Sequence, residues 1–140
     1  MAVTVYKATV SSTDRPHKYI AHVRDFTMTF DEPRENGGLN EGMRPEEAIL
    51  CSLGACEDIV AGTFSKAKKF KYTSLYLPLS WSKNDADENQ ISEIHMSAYF
   101  RTPNTKKEAK DFVEFMENTC PVRDNLANSV PIVTKSVKTE

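Results

Sequence analysis

The chain has 140 residues, 18 basic and 20 acidic side chains, a net charge of −2 and a pI near 5.9. That balance offers no bulk attraction to nucleic acid or to an anionic membrane, and the length suits one domain, residues 1–140, with a real core. The opening MAVTVYKATV lacks the basic and apolar regions of a secretory signal, and no window approaches the ~20 apolar residues of a membrane span, so a soluble cytoplasmic protein is expected.

Val3 to Val10 alternates and is β-branched, which predicts a strand that ends in the Pro16 turn. Lys18 to Phe30 reads as one or two strands with Phe26, Met28 and Phe30 on one face. Asp31 to Pro45 is dense in Pro, Gly and Asn and reads as a loop. Pro45 then suits the first turn of a helix, and Glu46 and Glu47 follow where the helix dipole favours acids. This helix is expected to reach about Lys69, with Lys66, Lys68 and Lys69 at its negative end. Tyr72 to Trp81 and Gln90 to Thr102 read as strands joined by the polar loop SKNDADENQ. Thr105 to Thr119 is an amphipathic helix with Ala109, Phe112, Val113 and Met116 on one face. A short helical turn after Cys120 and a closing strand, PIVTKSV, complete the pattern. The order predicts an α+β fold with a largely antiparallel sheet.

The stretch AILCSLGACEDIVAG is apolar nearly all round, the mark of a helix buried on every side. One sheet covers one face of a helix, so the other face calls for a second copy of the chain in a twofold homodimer.

Three cysteines in a reducing compartment are more often buried, redox-active or metal-bound than a disulfide framework. Cys51 and Cys56 lie about 140° apart around a helix and cannot bridge each other within it. No C-x-x-C occurs, and His17, His22 and His95 fall on separate strand-like segments, so no metal or other cofactor is expected. Cys120 precedes Pro121 near the start of a helical turn, where backbone N–H groups favour a thiolate. A lone cysteine in a helix reads first as a small buried hydrophobe, and Cys51 is taken as core packing. Trp81, Tyr72, Tyr76 and Tyr99 read as sheet and core residues without a basic groove beside them, so no nucleic-acid partner is expected.

RPEEAILCSLGAC, followed by CPVRDNL and VPI and preceded by FTMTFDEPRENGG, resembles the OsmC/Ohr family of osmotically induced and organic hydroperoxide resistance proteins over nearly the whole chain. The resemblance implies an OsmC-like fold: a curved, mostly antiparallel sheet, a long buried central helix and an intertwined homodimer. It also implies a metal-independent thiol peroxidase for organic hydroperoxides, regenerated by an external dithiol, with sites at the dimer interface. Carried over by position, Cys56 resembles the peroxidatic thiol and Cys120 the resolving one. A thiolate in an apolar pocket needs a nearby cation to offset desolvation, and the family supplies an arginine held by a glutamate. Arg15 stands at the family offset from Asp31-Glu32-Pro33, and Arg24 is its rival on a strand face shared with Phe26. Glu46 matches the glutamate, with Glu47 matching another branch, and Arg44 departs from a usually uncharged position. The alternative is a non-peroxidase OsmC-like dimer binding a hydrophobic or thiol-bearing small molecule in its interface pocket.

Overall fold

The structure, a computed structural model, describes residues 2–84, 87–128 and 130–139. The chain forms two compact units, Met1–Ile49 and Leu50–Glu140. Among the described residues, antiparallel sheets and three α-helices give the mixed α and β class that the sequence predicts. Among the described residues no helix is long and apolar enough to cross a membrane.

In the first unit, β1 (Thr9–Ser12), β2 (Tyr19–Val23) and β3 (Phe26–Phe30) form an antiparallel sheet in that order. The strand expected from Val3 begins only at Thr9. Thr9 pairs with His22 and β2 ends one residue later at Val23, so the residues before Ala8 have no edge of β2 to join. Strand propensity is realised only where a partner exists. Thr13 Oγ1 accepts from Arg15 N at 3.1 Å and donates to the Lys18 carbonyl at 2.8 Å, fixing the β1–β2 turn. Val23 pairs with Phe26, which leaves Arg24 and Asp25 as a two-residue turn. Arg24 therefore adopts φ 53° and does not share the strand face of Phe26, contrary to the parity expectation; its guanidinium lies 4.9 Å over the exposed Phe26 ring.

The loop after β3 is organised by Asp31, which is 1% exposed. Its carboxylate accepts from the backbone N–H groups of Glu32, Leu39 and Glu41 at 2.7, 3.2 and 3.1 Å. Burial raises its pKa, but these three bonds and the Lys18 charge outweigh burial and hold it below the ordinary value.

Helix α1 (Pro45–Phe64) starts in the first unit and continues in the second. It stops five residues before the expected Lys69, because Lys69 turns left-handed at φ 56° and Phe70 N bonds back to the Ser65 carbonyl at 2.9 Å. That turn delivers Phe70 to the core, stacked on Phe112 at 4.6 Å. Leu53, Gly54, Glu57, Val60 and Ala61 form the buried face of α1. Cys51, Ser52, Ala55 and Ile59 are exposed, so a single chain covers one face rather than all sides, and Cys51 is not core packing within it.

The two long strands expected between α1 and the next helix are each broken once. β4 (Ser74–Tyr76) pairs with β7 (Tyr99–Arg101), and β5 (Leu79–Asn84) pairs with β6 (Asp87–Met96). Pro78 has no N–H for a ladder bond, and at this break Ser97 N donates to its carbonyl at 3.1 Å. The strands also extend into the expected polar loop, whose tip at 85–86 lies outside the described residues. Helix α2 (Lys106–Thr119) opens with a capping box between Thr105 and Glu108 and buries Phe112 and Met116, as its pattern predicts. Helix α3 (Pro121–Ala127) follows directly. The closing segment 131–139 is not a strand on this chain, and Ile132 and Val137 are exposed.

Candidate functional site

All three cysteines are free thiols, and two of them meet in the second unit. Cys56 is half-buried at the edge of the apolar stripe that docks α1. Gly54 lets the helix settle close to β5, since a Cβ there would stand 2.8 Å from Leu79 Cδ1. Cys120 ends α2 and begins α3. Its N–H donates to the Met116 carbonyl at 3.0 Å, and its carbonyl accepts from Asp124 N at 3.1 Å. Pro121 suits the first position of α3, where an N–H would have no helical partner. The junction leaves Cys120 2% exposed, with its thiol hydrogen-bonded to Cys56.

The sequence led us to expect a thiolate-favouring position at Cys120, and the structure reverses that. Burial, the hydrogen bond to Cys56 and the charge of Glu57 together push its pKa up to about 11. The opposing hydrogen bond, from Arg123 N to Cys120 Sγ at 3.4 Å, is too weak to win. Cys120 is therefore a thiol at neutral pH.

Next to these sulfurs lies a feature the sequence reading did not single out. Arg123 Nε donates to Glu57 Oε1 at 2.7 Å, and Glu57 is 0% exposed. Arg123 Nη2 also stands 3.9 Å from Glu117 Oε1 and 4.0 Å from Met96 Sδ. A signal was present: Glu57 occupies the stripe of Leu53, Val60 and Ala61, where a buried acid requires a cation.

The other expected site residues lie in the first unit. Arg15 Nη1 is 3.5 Å from Glu41 Oε1, an exposed pair, and Lys18 bonds the other oxygen of Glu41. Glu46 is half-buried in the first turn of α1. Glu47 Oε1 accepts from Arg44 N at 2.8 Å, capping that turn. Arg44 Nε lies 3.0 Å from Glu32 Oε2, an ion pair with the N–H aimed too far away for a hydrogen bond.

Cys56 opens onto a cavity of about 530 Å³ whose lining includes Ala55, Ile59, Val60, Phe64, Pro121 and Val122. An apolar hollow ending at a sulfur can receive a hydrocarbon chain and present its polar end to the thiol.

A family model described as OsmC-like protein matches residues 38–135. The chain is similar to the hydroperoxide reductase of Mycoplasma pneumoniae, 27% identical over 105 residues that cover 72% of each protein. The hydroperoxide reductase of Mycoplasma genitalium is 26% identical over 106 residues, 73% of each. A solved structure of an OsmC-like protein from Mycoplasma pneumoniae matches with a TM-score of 0.80 at 24% identity, covering 90% of this chain and 89% of that one.

Proposed function

The chain belongs to the OsmC-like protein family, and from that premise we propose that it is a thiol-dependent peroxidase that reduces organic hydroperoxides to alcohols. The observation that carries this reading is the contact between Cys56, half-buried on an apolar cavity, and the protonated Cys120 thiol hydrogen-bonded to it. The hydroperoxide reductase names of the two Mycoplasma relatives support the same chemistry.

In the proposed cycle the Cys56 thiolate attacks the distal peroxide oxygen. The O–O bond breaks, the alkoxide leaves and takes a proton, and Cys56 becomes a sulfenic acid. Cys120 then condenses with it, forming a disulfide and releasing water. An external dithiol restores both thiols through a mixed disulfide, which suits a reducing cytoplasm. Burial supports this order of roles, since Cys56 lines the cavity and Cys120 is buried with its proton held.

Arg15 and Glu46 are proposed as the arginine and glutamate that favour the Cys56 thiolate, on the family offset alone. The assembly is proposed to be a homodimer. Supporting this, the stripe Cys51, Ala55 and Ile59 is exposed on one chain, as are the apolar Val3, Val5, Ile132 and Val137 near its ends.

A second reading, a dimer that binds a hydrophobic or thiol-bearing molecule without turnover, draws on one observation: the guanidinium beside the thiols, that of Arg123, is engaged by Glu57. Consumption of cumene hydroperoxide with dithiothreitol separates the two. Steady turnover with preference over hydrogen peroxide is expected; binding without consumption establishes the second reading.

A further inference from the structure

Glu57 has two carboxylate oxygens in different states. Oε1 is bonded to Arg123 Nε at 2.7 Å, whereas Oε2 is fully buried and has no hydrogen-bond partner among the described residues. A buried acceptor left empty is costly, and native interiors rarely keep one. It becomes useful where a proton arrives during a reaction.

The resolving step generates such a proton. In the reduced protein the Cys120 thiol is hydrogen-bonded to Cys56. Once Cys56 carries a sulfenic hydroxyl and becomes the target of attack, the Cys120 proton needs another acceptor. Arg123 links the two groups involved, since its backbone N bonds Cys120 Sγ and its side chain bonds Glu57. The charged and titratable groups that contacts bring here, among the described residues, are Cys56 and Glu57 on α1, Glu117 on α2 and Arg123 on α3; β6 adds the neutral thioether of Met96.

We propose that Glu57 is the proton acceptor for Cys120 during disulfide formation, its empty Oε2 taking the thiol proton and passing it to the departing hydroxide. The inference rests on the two-thiol reading above. The Cys120 sulfur attacks the Cys56 sulfur, the S–S bond forms and the S–O bond breaks. The sulfenic sulfur is reduced, the thiol sulfur is oxidised, and the hydroxide leaves as water with the relayed proton. Glu57 returns to its starting charge, so no net proton is exchanged with solvent.

Without such a base, Cys120 would have to ionise unaided. Burial and the neighbouring charge of Glu57 disfavour that thiolate. The two routes therefore differ in pH dependence. Spontaneous ionisation makes disulfide formation climb with pH, whereas an internal base that hands its proton to the departing hydroxide gives a rate that does not follow the hydroxide concentration.

The test is a single turnover of the full chain with one equivalent of cumene hydroperoxide between pH 6 and 9. Sulfenic acid is trapped with dimedone, and the disulfide is followed by mass. A level rate is expected for the wild type. Glu57→Gln, similar in size, is expected still to form the sulfenic acid but to close the disulfide at least tenfold more slowly at pH 7, with a profile that now climbs with pH. A wild-type rate proportional to hydroxide overturns the inference, and so does Glu57→Gln closing at the wild-type rate with the wild-type profile. Should Glu57→Gln not fold, the wild-type profile decides alone. If the wild type forms no sulfenic acid at Cys56, the peroxidase reading fails and takes the inference with it; sulfenic acid followed by hydroxide-driven closure sinks the inference only.

Discussion

The Cys120 thiol is hydrogen-bonded to Cys56, and its own burial pushes its pKa up to about 11. In native alkylation with iodoacetamide at pH 7 to 8, Cys120 should therefore react after Cys56, and mass mapping of the adducts checks this. The same shift acts on stability. Between the ordinary value of 9.0 and about 11 the unfolded chain releases this proton while the native chain keeps it, so the unfolded state binds fewer protons and stability falls as pH rises. The contribution is intact below pH 9 and is lost on approach to 11. Wild type should lose more denaturation midpoint over that window than Cys120→Ala.

The thiols should also divide in function. Cys56→Ser should consume no hydroperoxide. Cys120→Ser should react once and then accumulate sulfenic and sulfinic acid at Cys56, seen as added mass of one and then two oxygens. Turnover by Cys120→Ser at the wild-type rate with dithiothreitol would remove Cys120 from the cycle.

What the sequence made legible was whatever depends on local chemistry. The spacing of Phe112 and Met116 announced both α2 and its buried face. What it concealed depends on partners distant along the chain. Val3 to Lys7 alternate like a strand, yet in the Thr9–His22 register they lie beyond Val23, the last residue of β2. Cys120 has the right local position for a stabilised thiolate, but its pKa is governed by burial, which no local pattern states. Glu57 was visible as an acid on an apolar stripe; that its cation would be Arg123, 66 residues later, required the fold.

Asp31 should make the loop after β3 sensitive to acid. Its pKa is lowered, so its contribution is present above the ordinary 3.8 and lost as pH falls through the lower native value. Asp31→Asn keeps the shape but replaces one accepting oxygen with an NH2 donor, which conflicts with backbone N–H groups on both oxygens. Amide hydrogen exchange at Leu39 and Glu41 should accelerate at least tenfold in the variant. Unchanged protection there would mean that the loop is held by other contacts.

The two arginine candidates should separate cleanly. Arg24 holds φ 53° in a two-residue turn, a conformation that glycine adopts more easily. Arg24→Gly should leave peroxide turnover intact and change stability by less than about 1 kcal/mol, because relief of the backbone is offset by loss of the Phe26 contact. Arg15→Ala should slow the oxidation of Cys56 by cumene hydroperoxide while the assembly stays intact. If Arg24→Gly slows that oxidation and Arg15→Ala does not, the activating cation is Arg24.

Assembly is the prediction on which the site geometry leans most. Cys51, Ala55 and Ile59 recur every four residues along α1 and so form one stripe, exposed on the single chain, with Ile59 68% accessible. Near the ends, Val3 is 80%, Ile132 93% and Val137 84% accessible. Leaving these groups in water forgoes about 25 cal/mol per Å² of apolar surface, whereas a second copy laid on the stripe recovers it; a stable interface of this kind covers about 800 Å² on each partner. Sedimentation at micromolar concentration should therefore give a dimer. Cys51 supplies a local probe, because it shares the stripe and reacts with a charged disulfide reagent only when uncovered. The wild type should protect Cys51, and Ile59→Arg, which places a charge on the stripe but outside the core formed by Phe70, Phe112 and Met116, should sediment as a monomer with Cys51 reactive. A folded wild-type monomer at that concentration, with Cys51 freely reactive, would show that α1 faces water and that no second chain takes part in the site.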